Sequence, residues 1–154
     1  MARQAELLRA AEIAAPELTQ LHLDRIDRLD GRLNAFRLVR AERALQEARS
    51  AQERLRAGDE AALLGVPIAV KDNMDVAGEL TTHGTGLVTE PATADSEAER
   101  RLRGAAAVIV GKTNMPELAL CRSSPSRRPS APPATRGIAS AARAGRAGRG
   151  RAGA

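Results

Sequence analysis

Two short apolar runs, at residues 66–70 and 105–110, are separated by one segment that carries the marks of a helix, and this order limits the chain to few architectures. Ser96 followed three residues later by Glu99 is a capping box. It opens a short helix that runs through Leu102 and stops at Gly104. A strand, a helix and a second strand in that order predict a parallel crossover of the α/β type. Helices then cover the faces of the sheet, and the strands read as nearly continuous apolar runs.

The first run, Leu64-Gly65-Val66-Pro67-Ile68-Ala69-Val70-Lys71-Asp72-Asn73, is bounded by Gly58 and Gly65 before it and by a polar turn after it. Its β-branched residues Val66, Ile68 and Val70 recur with period two and share one face. Pro67, Ala69 and Lys71 share the other. The small, unbranched character of that second face predicts close packing there, with the Lys71 amine held and desolvated. A desolvated ammonium loses its proton more readily, which makes a lysine usable as a general base. A lysine at the end of a strand is also what a strand meeting solvent looks like.

Upstream, the spacing predicts three helices. Residues 3–14 place Leu7, Leu8, Ala11 and Ala14 or Ala15 near one side, and Pro16 fits the first turn of a second helix over 16–30. There Leu18, Leu21, Ile26 and Leu29, with His22 among them, form a stripe, and Gly31 ends it. Asn34-Ala35-Phe36 is a short extended link. A third helix from about 38 to 57 carries Leu38, Ala41, Leu45, Ala48 and Leu55 and closes at Gly58. Residues 72–85, with Gly78, Gly84 and several hydroxyl residues, read as loop or hairpin. Residues 114–119 begin one more helical turn, capped by Asn114 with Pro116 inside it.

Composition matters where the charge sits. The 154 residues have a formal net charge of +5 and a pI near 10.8, yet residues 121–154 hold eight Arg and no acidic residue. The first 120 residues carry 16 basic and 19 acidic groups. Of the last 34 residues, 31 are Ala, Arg, Gly, Pro or Ser, without periodicity and with Ile138 as the one aliphatic larger than Ala. We therefore expect two parts: residues 1–120 as the folded portion and 121–154 as a disordered tail, whose GC-rich codons suggest a coding region read in a shifted frame. With one Phe and no Trp or Tyr, the core must be built from Leu, Val, Ile and Ala, and base-stacking platforms are excluded. A lone Cys121 allows no internal disulfide. No apolar run is long enough to cross a membrane, and acidic Glu6 and Glu12 interrupt the start of the chain where a leader would avoid acid, so a cytoplasmic location is expected.

Three segments in order carry a resemblance to a known family: Gly65-Val66-Pro67-Ile68-Ala69-Val70-Lys71-Asp72-Asn73-Met74-Asp75-Val76-Ala77-Gly78, then Thr81-Thr82-His83-Gly84-Thr85, then Val108-Ile109-Val110-Gly111-Lys112-Thr113-Asn114-Met115-Pro116-Glu117-Leu118-Ala119. Over about residues 3–120 the chain resembles the amino-terminal part of the amidase signature family, which includes bacterial amidases and the A subunit of glutamine-dependent tRNA amidotransferases. The resemblance implies an incomplete mixed sheet flanked by helices, a small-molecule amide substrate, no cofactor, and hydrolysis through a Ser-cisSer-Lys triad. Its lysine falls on Lys71. The two serines of that family lie in a Gly/Ser-rich segment of the type GGSSGGS, which these 154 residues do not contain. The triad is therefore expected to be incomplete and the chain inactive by itself. The alternatives are a fragment akin to that A subunit of a tRNA-dependent amidotransferase, or a non-enzymatic fragment whose basic tail binds nucleic acid without sequence preference.

Other motifs carry less. Gly111-Lys112-Thr113 after a strand invites a phosphate-loop reading, but G-x-x-x-x-G-K-[ST] needs glycine where Ala106 stands, and residues 107–110 are strand-like. His22, His83 and one cysteine make no metal-ligand cluster. His22 belongs to a packed or rim position, and His83 either lines the substrate channel or is ordinary loop polarity. Ser123, Ser124, Ser126 and Ser140 stand among arginines and prolines rather than in a Gly/Ser-rich turn. The tail's eight Arg would attract phosphates, but it lacks interleaved aromatics, so nucleic acid is not an expected partner.

Overall fold

A computed structural model describes residues 1–120. Helix α1 (Ala2–Arg9) and helix α2 (Ala15–Leu33) lead into strand β1 (Phe36–Val39), helix α3 (Ala41–Arg56), strand β2 (Pro67–Lys71), helix α4 (Glu97–Gly104) and strand β3 (Val108–Thr113), followed by a 3-10 turn at Glu117–Ala119. The three strands form one mixed sheet in the order β1-β3-β2. β2 and β3 are parallel and joined through α4, as the sequence predicts, whereas β1 runs antiparallel to β3. The capping box is present, with Ser96 Oγ accepting from the Glu99 amide at 3.4 Å.

The main core lies where α1, α2 and α3 meet the sheet. Ala5, Leu8, Ala15, Leu18, Leu23, Ala44 and Ala48 pack with Val66, Val108 and Val110. Alanine dominates the α3 face, which lets that helix lie close to the strands. On the other side, Val70, Val76 and Ile109 form a smaller cluster with Met74 and Leu102.

Several boundaries differ from the sequence reading. α1 stops at Arg9, and α2 runs through Gly31 to end at Asn34, whose left-handed φ of 49° closes the helix. Its buried face contains Thr19 and Leu23, while Leu21 is exposed. Residues 36–39, assigned from sequence to a link and the start of a helix, are a strand because β3 supplies a partner for them. β3 starts later than expected and continues through Gly111, Lys112 and Thr113. Gly111 is required at that point. A Cβ there would lie 2.3 Å from the Leu38 carbonyl oxygen, so only glycine lets β1 approach.

Beyond the end of β1, side chains take over the pairing of β3. The Ile109 amide donates to Glu47 Oε2 at 3.1 Å, and the Ile109 carbonyl accepts from Arg40 Nη1 at 3.0 Å. Arg40 is buried and pairs with Glu47 and Glu79. Arg103 extends the network to Glu47, Asp95 and the fully buried Glu99. Burial pushes the Glu99 carboxyl above the usual range, with Arg103 pulling it back and Asp95 adding to the rise.

Candidate functional site

The site begins at the carboxyl end of β2, the end of parallel strands at which ligands collect in open α/β sheets. Lys71 is the last residue of β2 and pairs in register with Thr113 of β3. Its side chain is exposed and makes no hydrogen bond or ion pair with any described residue. This corrects the expectation of a held, desolvated amine. Of the face expected to be closely packed, Pro67 is buried while Ala69 and Lys71 are open, because no described element packs over that part of it.

The buried charge belongs to the next residue. Asp72 is 1% exposed, and its carboxylate is met from three sides. Oδ1 forms ion pairs with Arg37 Nε at 2.8 Å and Lys112 Nζ at 3.1 Å. Oδ2 accepts from the Thr82 amide at 3.2 Å and from the Thr82 hydroxyl. Lys112 is fully buried and donates to the Leu80 carbonyl at 2.8 Å and to Thr81 Oγ1 at 2.6 Å. Desolvation draws the Lys112 ammonium below the usual lysine range, and Asp72 opposes that shift.

These contacts fold the loop back on itself. The Asp72 amide donates to Thr113 O at 3.1 Å, and the Asp72 carbonyl accepts from the His83 amide at 3.1 Å. The His83 carbonyl then accepts from the Leu118 amide at 2.8 Å, which places residues 81–85 against 115–118. Gly84, with a φ of +72°, makes that contact possible, since a Cβ would lie 2.7 Å from Met115 O and 2.9 Å from Pro116 O. His83 itself is exposed with a φ of +52°. It is thus a loop residue of the same rim as Lys71.

The remaining candidates lie apart. His22 pairs with Gln4 at 2.9 Å on the helical side, and burial lowers its basicity, with Arg25 adding to the effect. Gly111-Lys112-Thr113 lies within β3 and not in a turn before a helix, so it has no phosphate-cradling geometry. Among the described residues no group of three or more His, Cys, Asp or Glu could hold a metal ion. Ser123, Ser124, Ser126, Ser140 and the expected tail lie outside the described residues. Sequence reading missed Lys112 as the buried cation. The available signal was that 22 of the 24 basic residues are Arg and only positions 71 and 112 are Lys.

A family model described as Amidase matches residues 17–132, from α2 to twelve residues past the described part. The chain belongs to the amidase family. AmiB2 of Mycobacterium tuberculosis, a protein named as an amidase, is 53% identical over 117 residues, covering 76% of this chain and 25% of that protein. The A subunit of the glutamyl-tRNA(Gln) amidotransferase from Chromohalobacter salexigens is 44% identical over 114 residues, covering 73% of this chain and 24% of that protein. Among solved structures, the native peptide amidase from Stenotrophomonas maltophilia superposes with a TM-score of 0.70 at 35% identity, over 75% of this chain and 24% of that one. The chain spans about a quarter of the length of these relatives.

Proposed function

We propose that this amidase-family chain carries the lysine arm of a site that hydrolyses carboxylic amides, with Lys71 as the base of a Ser-cisSer-Lys triad. The observation that supports it most directly is the position of Lys71, an unpaired amine at the carboxyl end of a strand parallel to its neighbour, on a rim of polar loops. In the proposed chemistry the neutral lysine takes a proton from a bridging serine, which in turn deprotonates the nucleophilic serine as it attacks the amide carbon. Backbone N–H groups stabilise the oxyanion, the C–N bond breaks as the proton passes back to the leaving amine, and water then releases the acid from the acyl-serine and restores the serine. Closure of the open face around Ala69 and Lys71 by further sheet would desolvate the amine and favour its neutral form. These 154 residues contain no Gly/Ser-rich segment to supply the two serines, so the chain alone is proposed to be inactive. A cytoplasmic location is proposed with it. No helix among the described residues is long and apolar enough to cross a membrane.

A second reading is that the same arm belongs to a protein of the amidotransferase kind, which would transfer glutamine-derived ammonia. It is favoured by the 44% identity to the A subunit of a glutamyl-tRNA(Gln) amidotransferase. Substituting residues 17–120 for the matching segment of a working amidase tests the main reading. We expect the chimaera to hydrolyse amides and its Lys71→Ala variant to lose on the order of a thousandfold in kcat. An active chimaera indifferent to Lys71→Ala would refute the assignment. Activity only with glutamine as ammonia donor would select the second reading.

A further inference from the structure

Lys71 has no side-chain partner among the described residues, so what they fix is the backbone from which its flexible stem leaves. That backbone is held mainly through the following residue. The Asp72 amide, carbonyl and both carboxylate oxygens are engaged by Thr113, His83, Arg37, Lys112 and Thr82. Resting on the reading of Lys71 given above, we infer that Lys112 is a positioning residue, a buried cation that fixes the strand end bearing Lys71 through Asp72. Lys112 reaches both Asp72 and the far side of the loop, where it binds Leu80 O and Thr81 Oγ1; Arg37 likewise joins Asp72 to Leu80 O, but Thr81 Oγ1 is reached by Lys112 and not by Arg37. Removing it would leave Asp72 to Arg37 and Thr82 and release Thr81 Oγ1 from β3, with Leu80 O still held by Arg37.

The residue type fits this role. Three oxygens surround the Nζ atom, an arrangement suited to a compact ammonium and not to a planar guanidinium fork. In a chain whose other 22 cations are all Arg, lysine stands only here and at position 71. Position 71 is assigned a proton-transfer role that arginine cannot fill. Position 112 lies in a fully buried nest in which a larger head would displace the loop.

Having only two lysines makes the test site-resolved without isotopes. The intact chain is treated with an acetylating N-hydroxysuccinimide ester, and the modified lysine is identified by peptide mass spectrometry. Amide hydrogen exchange is measured in parallel. In the unsubstituted chain Lys71 should acetylate at least about a hundredfold faster than Lys112, since the latter reacts only from opened states. Equal rates would overturn the inference without any variant. In Lys112→Met and Lys112→Arg, exchange at the Asp72, Thr82 and His83 amides should quicken about tenfold or more while α2 and α3 amides keep their protection, and the Lys71 acetylation rate should change with it. Uniform acceleration throughout the chain, or none at 72–83, would overturn it. The triple variant Arg37→Met/Asp72→Leu/Lys112→Met, which removes every charge of the cluster, separates positioning from mere stability. It should recover the denaturant midpoint that Lys112→Met loses, yet leave loop exchange and Lys71 reactivity altered. Recovery of all three would show that the cluster only stabilises. None of these readouts depends on amide turnover, so the inference can fail while the reading of Lys71 stands, and the reverse.

Discussion

At the scale of single residues, the chain keeps its buried charges by surrounding them. Asp72 accepts two cations and two hydrogen bonds, so Asp72→Ala would strand Lys112 and Arg37 without their carboxylate. Breaking a buried pair by removing one partner should cost about 3–5 kcal/mol, read from the shift in urea midpoint at constant slope. Glu99 gives a pH signature. Its folded carboxyl titrates above its unfolded value, mainly through burial, so its contribution to stability is greatest below the unfolded value and is lost as pH rises through the folded one. Urea midpoints measured across mildly acid to neutral pH should fall more steeply with rising pH in the parent chain than in Glu99→Gln. Identical slopes would mean that Glu99 is not desolvated. Lys112 stood out in the sequence only as one of two lysines, and its burial was not legible there. A lysine in an apolar run reads as the end of a strand, and only the fold reveals the oxygens that let β3 continue through it.

At the scale of elements, what was legible was local. The Ser96 capping box, the crossover from β2 through α4 to β3, and the alanine- and leucine-bearing helices all follow from short-range spacing. β1 was not legible, because residues 36–39 become a strand only through antiparallel pairing with β3, and neighbouring Arg37 and Arg40 hide the apolar pattern. The same long-range pairing explains Gly111, for which no local motif exists. Gly111→Ala should push β1 off β3, and we expect a loss of several kcal/mol measured by denaturant unfolding, since a Cβ cannot occupy a site 2.3 Å from a carbonyl oxygen. Removing the Ser96 cap is a milder change. Ser96→Ala should lower stability by about 1 kcal/mol and shorten the protection of α4 amides in hydrogen exchange.

At the scale of the whole molecule, the helical layer and the sheet build a platform that ends in an open edge. Among the described residues β2 has β3 on one side alone, and Leu87, Leu118 and Leu120, in the segments that follow β2 and β3, are largely exposed. The place of Lys71 as the last residue of a strand was legible from the apolar run that ends in it. Its exposure was not, because the small residues beside it read equally as a packed face, and only the fold shows Ala69 and Lys71 open. We propose that this chain holds the base of an amide-hydrolysing site without its nucleophile. It is tested most directly by incubating the purified 154-residue chain with aliphatic and aryl amides and with glutamine, and measuring released ammonia or amine. No product is expected above the rate of the Lys71→Ala variant. Turnover by the parent chain that disappears in Lys71→Ala would contradict it.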